Sequence, residues 1–420
     1  MRALILSTHD SGGAGIAIHR LHRSLLRRGM SSAMVVSTKR TADETVLEAP
    51  RGTAFSRCSA LAVRAALRLA TRQDYHFQQQ LLETGPSAAA LLRTLPFRPN
   101  VIIAGWISRF VSPRLLRELS RISGAPVLWY LMDMAPLTGG CHYAWDCTGY
   151  QRSCGNCPAL PVRHPGDLSH RIMRGKRREL KDCDLTMVAA SGQLQQQCAR
   201  SSLCRGRRVE RIMLSVDPDI FRPGDRRLAR NAVGLPAAGK VVLIGAQSLS
   251  VRRKGTGQLV DALRRLGPML GGAAKLVTIA AIGPAAGLRG MLPSVFGFRA
   301  LGFMHGDRSL AECYRAADVF VCPSIQDSGP MMINEAIMSG TPVVSFDIGV
   351  AADLVATGST GYRAVSPDAR DLAAGIAAVL DLDAPRADAM AARCRDLGLR
   401  MCHPAVQAGA FRDLMREVTA

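Results

Sequence analysis

The chain has 420 residues, 48% of them hydrophobic and 21% charged, and its 54 Lys and Arg against 33 Asp and Glu leave a formal charge of +21. This composition excludes a disordered or collagenous chain, and the length favours two domains because a single core stops growing at roughly 250–300 residues. Arg, Gly or Pro interrupts every apolar run before the roughly 18 residues a membrane span needs. Met1–Ser7 leads into a Gly-rich turn where a secretion signal would need a longer apolar core, so the expectation is a cytoplasmic protein. The excess positive charge asks for an acidic partner: nucleic acid, an anionic membrane surface or a phosphorylated substrate.

Apolar runs followed by amphipathic helical patterns predict strands at Ala3–Ser7, Val101–Ala104, Pro126–Leu131, Leu185–Ala190, Val241–Ala246, Leu276–Gly283, Val319–Pro323 and Pro342–Phe346. Strands alternating with helices imply parallel sheets covered on both faces, hence an α/β class, doubly wound twice over. No repeat of 20–50 residues is present to suggest a solenoid.

After the first strand, Gly12, Gly13 and Gly15 open a helix that Gly29 stops. Glycines here allow close backbone approach, and a helix N-terminus offers free N–H groups to a phosphate. The turn reads either as such a cradle or as a ligand-free bend, and its spacing is not the G-x-G-x-x-G of a dinucleotide site. Arg57–Arg72 reads as a basic amphipathic helix, with Leu61, Arg64 and Arg68 among its positions. It suits an anionic lipid surface or an ordinary solvated face equally. Of 12 cysteines, four crowd into Cys141-x5-Cys147-x6-Cys154-x2-Cys157. The C-x2-C knuckle favours thiolate chemistry over disulfides, and the set fits either a structural Zn²⁺, with His142 able to replace one ligand, or reduced thiols packing a loop.

Ser215–Asp225 carries two prolines and a glycine and marks a hinge. The expected division is 1–215, 216–395 and a C-terminal helix, 396–420, that turns away from the second domain after His403-Pro404. In the second half, Arg252-Arg253-Lys254-Gly255 follows a strand. Taken by itself it reads as a solvated basic turn. Cys322 to Val344 reads strand, loop, helix, strand, with Asp327 on the loop and Glu335 in the helix. There Asp327 is either a helix cap or, with Glu335, a pair of acceptors for hydroxyls.

Asp327, seven intervening residues, Glu335 and then Ala-Ile-Met-Ser-Gly-Thr-Pro-Val-Val resemble the E-x7-E motif of the family-4 retaining glycosyltransferases with the two-domain GT-B fold. The Gly12–Gly15 loop, Lys254-Gly255, Ala317–Ser324 and Gly361-Tyr362 fall in that family's order, and Asp133–Tyr143 resembles a branch that builds exopolysaccharide, capsule or O-antigen. The resemblance implies two Rossmann-like domains facing across a cleft and a nucleotide diphosphate sugar donor on the C-terminal one. A glycan or polyprenyl-linked acceptor would lie on the N-terminal domain, and no catalytic metal is implied. It assigns the ribose hydroxyls to Glu335, the donor sugar to Asp327 (one methylene shorter than the usual Glu), and the leaving diphosphate to Lys254. Arg253 or Arg252 would assist where the family has an earlier Arg and this chain has Gln247 and Ser248. The Gly12-Gly13 turn and the Gly329, Pro330, Met331 backbone would complete the phosphate site. Many members carry His-Asp where this chain has Met132-Asp133. A thioether moves no proton, so Asp133 stays a candidate, His142 or His9 could take a polar role, and no general base is assigned. The competing expectations are an epimerase or phosphorylase of the same fold, and a basic scaffold or nucleic-acid binder. The last is disfavoured by 5% aromatic content, which offers few stacking platforms.

Overall fold

The computed structural model describes residues 1–50, 52, 61–63, 65–69, 71–79, 81, 85–245, 250–285 and 287–420. They form two compact units, Met1–Leu214 with Gln407–Ala420, and Ser215–Val406.

The first unit is built on seven strands, β1 (Arg2–His9), β2 (Ser31–Thr38), β3 (Val46–Glu48), β4 (Val101–Ala104), β5 (Val127–Leu131), β6 (Leu185–Ala189) and β7 (Val209–Arg211). They are ordered β3-β2-β1-β4-β5-β6-β7 and every pair is parallel. β4 and β5 are buried along their whole length, as strands covered on both faces must be, which is why they read as unbroken apolar runs. The order reverses between β1 and β4, where Leu4 pairs with Ala33 on one side and Ile102 on the other. Open α/β sheets bind ligands outside the strand ends at such a switch.

The second unit repeats the plan with β8 (Lys240–Gly245), β9 (Val277–Ile282), β10 (Gly297–Gly302), β11 (Val319–Cys322), β12 (Val343–Phe346) and β13 (Gly361–Ala364), ordered β10-β9-β8-β11-β12-β13 and all parallel. All eight predicted strands are present. The switch lies between β8 and β11. Buried Arg230 holds that edge of the core: its guanidinium donates to the Ala316, Ala237 and Gly239 carbonyls and to Asp318 Oδ2, which also accepts the Val241 N–H.

The chain end divides between the units. The helix Ala384–Cys402 packs on the helix Met331–Met338, where a Cβ on Gly398 would lie 2.9 Å from Met338 Cα. Arg395 ties it to the expected hinge through the Phe221 and Pro218 carbonyls. His403 is extended (ψ 135°), as a residue before proline must be, and a new helix, Pro404–Thr419, follows. The expected boundary at 395/396 falls inside the earlier helix, whereas the expected break at His403-Pro404 is where that helix ends, and residues from Gln407 on belong to the first unit. Gln407 Nε2 donates to Tyr130 Oη at 3.0 Å and to the Met213 carbonyl at 2.9 Å, and Phe411 meets Tyr130 edge-on.

No helix of the described residues is long and apolar enough to cross a membrane. Of the basic amphipathic segment, 61–63 and 65–69 are helical with Leu61 and Leu69 exposed, while Arg57 and Arg64 lie outside the described residues.

Candidate functional site

In the second unit the loops after β8, β11 and β12 meet at the carboxyl ends of their strands. The turn Arg252–Lys254 ends on Gly255, whose φ of +69° a side chain disfavours and whose Cβ would stand 1.8 Å from the Pro323 carbonyl oxygen. That close approach lets the Arg253 carbonyl accept the Ile325 and Gln326 N–H groups, locking the basic turn to the acidic loop. Asp327 Oδ2 consequently accepts from Lys254 Nζ at 2.6 Å and Arg253 Nη1 at 2.8 Å. Burial pushes the Asp327 carboxyl up, but the Lys254 and Arg253 charges outweigh it and hold it below the usual carboxylate range. The three side chains are each less than a fifth exposed, so the pairing is only partly screened by solvent.

Asp327 is not the cap of the following helix: Pro330 is the N-cap residue and no side chain caps it. Asp327 Oδ1 instead accepts the Gly329 N–H at 3.3 Å. The Gly329 N–H is thus engaged and Pro330 has none, so of the expected backbone cradle Met331 is the first amide of the helix. Glu335, 2% exposed, accepts a hydrogen bond from Tyr314 Oη at 3.2 Å. Burial first, and then the Glu335 charge, drive the Tyr314 phenol well above its ordinary value, so it stays a donor. Gln247 and Ser248 lie outside the described residues.

The first unit holds a cavity of about 570 Å³, the size of a small-molecule site. Its lining includes Arg68, Trp106, Arg109, Trp129, Met132 and Asp133. Asp133 Oδ2 accepts from Trp106 Nε1 (2.8 Å) and meets His142 Nδ1 (2.7 Å), while Oδ1 accepts the Ala135 N–H. Burial raises the Asp133 carboxyl, and the His142 contact and these donors bring it below its ordinary value. An ionised carboxylate only accepts, so Nδ1 and not Nε2 carries the His142 proton shared with Asp133. That Nε2 is buried with no partner among the described residues, as are Trp129 Nε1 and Gln78 Oε1. His9 does not join this hydrogen-bonded group; its ring lies 6.1 Å from Trp106. Burial, and then the Arg40 charge, lower its pKa.

Gly12 begins the helix Gly12–Arg27 with φ +70°, and a Cβ at Gly12 or Gly13 would meet nothing within 4 Å, so the turn is open. Gly12, Gly13 and Asp133 belong to the first unit; Arg253, Lys254, Asp327, Gly329, Pro330, Met331 and Glu335 belong to the second. Cys141, Cys147, Cys154 and Cys157 line one small cavity and carry no disulfide.

Residues 239–382 match the family model of glycosyl transferases, group 1. The second unit carries a glycosyl transferases group 1 domain. That domain holds Arg253, Lys254, Tyr314, Asp327 and Glu335 within the matched residues. Among curated proteins, D-inositol 3-phosphate glycosyltransferase 2 of Catenulispora acidiphila is 33% identical over 194 residues, 41% of this chain and 43% of its own. The lipopolysaccharide core biosynthesis mannosyltransferase LpsB of Rhizobium meliloti is 30% identical over 188 residues, 43% of this chain and 53% of its own. The chain thus spans about half the length of these relatives, or less. Over the whole chain, the crystal structure of Anabaena HepE in complex with UDP superposes with a TM-score of 0.66 at 17% identity, covering 99% of this chain and 100% of that one. The fold is GT-B, an α/β fold of two Rossmann-like units.

Trp106 and Tyr314 were not legible as site residues. Trp106 had one usable signal, its place two residues beyond the end of β4 at a switch point. Tyr314 sits in a helix where its ring reads as core, and nothing local announces that its hydroxyl reaches Glu335.

Proposed function

We propose that this chain is a retaining glycosyltransferase that moves a hexosyl unit from a nucleoside diphosphate donor to a glycan or polyprenyl-linked acceptor in the building of a surface polysaccharide. The observation that carries the reading is the gathering of Arg253, Lys254 and Asp327 at the strand ends of the group 1 domain. As the donor's glycosidic bond lengthens, negative charge accumulates on the departing diphosphate, and cations already held in place stabilise that charge without reorganising. Asp327 holds Lys254 and Arg253 there before the donor arrives. Its remaining acceptor capacity suits hydroxyls of the donor sugar, while Glu335 receives ribose hydroxyls beside the Tyr314 phenol.

The cavity of the first unit is assigned to the acceptor. Its partnerless polar atoms suit a hydroxyl-rich ligand, since buried donors and acceptors otherwise go unpaired. Transfer on the front face lets the donor's own phosphate oxygen take the acceptor proton, so the chemistry needs neither a protein base nor a metal. Peripheral contact with anionic lipid through the basic helical segment near Leu61 and Leu69 would bring a lipid-linked acceptor within reach.

Equilibrium binding of UDP, GDP, ADP and dTDP to the wild type and to Glu335→Ala tests the reading. UDP is the first nucleotide to try, because the HepE structure holds it. Selective binding of one nucleotide, lost in the variant, is expected, together with nucleotide release that requires a glycosyl acceptor and a product of retained anomeric configuration. Binding unchanged by Glu335→Ala would overturn the donor site, and release without acceptor would favour a hydrolytic or epimerising enzyme.

A further inference from the structure

The loop between β5 and the helix Leu168–Leu180 carries Asp133 and His142 at one end and four cysteines along the rest. Cys141, Cys147, Cys154 and Cys157 converge on a cavity of about 10 Å³, the space of about one water, whose other walls include Phe77, Tyr150 and Ser169. A Cβ on Gly149 would touch Cys147 Sγ at 3.5 Å and Cys154 Cα at 3.6 Å, which measures how closely the segments approach. None of the four is in a disulfide. The turn through them is unusual: Cys154, Gly155 and Asn156 all have positive φ (55°, 94° and 50°). Non-glycine residues hold that conformation only where the surroundings over-determine it.

Burial raises the Cys141, Cys154 and Cys157 thiols above their ordinary value, yet two observations independent of the spacing place favourable partners for negative charge beside them. Backbone N–H groups are aimed at them: Gly139 donates to Cys154 Sγ at 3.2 Å, and Ala159 to Cys157. Lys176, with a fully buried side chain, lies in the electrostatic reach of Cys154 and Cys141 and, beyond them, of Asp133, and its ammonium is bonded to the Ala135 and Thr138 carbonyls. A buried ammonium without a contacting carboxylate is costly unless some other anion compensates it. Four thiolates around a divalent cation carry a net charge of −2 and add to the negative charge that Asp133 already places near the ammonium. Four neutral thiols do not.

We propose that Cys141, Cys147, Cys154 and Cys157 bind one structural zinc-type ion as four thiolates, with Lys176 as the buried counter-charge. Loading converts four thiols and one Zn²⁺ into a tetrathiolate complex and releases four protons. Among the described residues no three His, Cys, Asp or Glu side chains are arranged to hold a metal ion as they stand, so loading as proposed requires the four sulfurs to draw inward around the cavity. Because Cys141 precedes His142, the ion anchors the turn that sets His142 on Asp133, and its role is to position that pair rather than to touch substrate.

The full chain, produced without chelator, is analysed for bound metals, and its thiols are alkylated under native and denaturing conditions. About one zinc per chain is expected, with four thiols unreactive until a chelator is added. Cys154→Ser and Cys157→Ser should lose the metal, while Cys183→Ala, a buried thiol elsewhere, should keep it. Should the serine variants fail to fold, the wild type reloaded with Co²⁺ gives the second readout: visible bands of tetrahedral cobalt with thiolate charge transfer in the near ultraviolet. Neither zinc nor iron above background, disulfides among the four cysteines, or a cobalt spectrum without thiolate bands would each overturn the proposal.

Discussion

A single carboxylate oxygen on Asp327 holds two cations, and that geometry gives Asp327 a part in stability beside the one proposed for it in donor binding. Because the folded-state pKa is lowered, the pairing stabilises the unit fully above the unfolded value of about 4 and is lost as pH falls through the folded value. Asp327→Asn should therefore cost ~1–3 kcal/mol near neutrality and remove part of the acid-side loss of stability, as read by denaturant melts across pH. Lys254→Ala leaves Asp327 paired with Arg253 and should leave the fold close to intact. On the proposed chemistry it should nevertheless lower kcat by roughly 10²–10³, as removal of one preorganised electrostatic contact typically does, with donor KM changing less. A loss confined to KM would reduce Lys254 to an anchor for ground-state binding.

At the scale of elements, the turn Arg252–Lys254 depends on one glycine. Gly255→Ala puts a Cβ against the Pro323 carbonyl in a left-handed backbone, so it should destabilise the second unit by roughly 1–3 kcal/mol from the backbone alone and uncouple the turn from the acidic loop. Gly257→Ala, two residues on in the next helix with open space around its Cβ, should be neutral or stabilising by about 0.4–1 kcal/mol. Thermal melts of the two variants check the pair, and equal effects would refute the steric account. The C-terminal helix makes a similar test possible in the first unit. Phe411 is fully buried against Tyr130, and Phe411→Ala should cost about 3–5 kcal/mol there, read by hydrogen exchange of β5 and β6.

For the whole molecule, a nucleotide that binds only the folded second unit should raise that unit's stability by ~2.7 kcal/mol at a hundredfold excess over Kd. Calorimetric scans with and without UDP would show the shift in the transition that carries the Gly255 effect, and a shift confined to the Phe411 transition would move the site to the other unit. The α/β class and the eight predicted strands were legible because strands buried on both faces leave unbroken apolar runs such as Val101–Ala104 and Val319–Cys322. β10 left no such trace, since as an edge strand it is largely exposed, and β3 and β7 are three residues each.

What the sequence determined by itself follows from local rules: the apolar period that makes strands and helices, the glycine and proline that end them, the pre-proline break at His403, and the acidic spacing from Asp327 to Glu335. Tertiary structure alone decided which of these residues meet. Lys254 and Asp327 are 73 positions apart and Trp106 and Asp133 are 27 apart, and their contacts exist because parallel strands deliver distant loops to one sheet end. The same holds for His142 on Asp133, for Tyr314 on Glu335 and for four cysteines around one cavity. No local pattern encodes these pairings, since the energy that selects them belongs to the packed sheet.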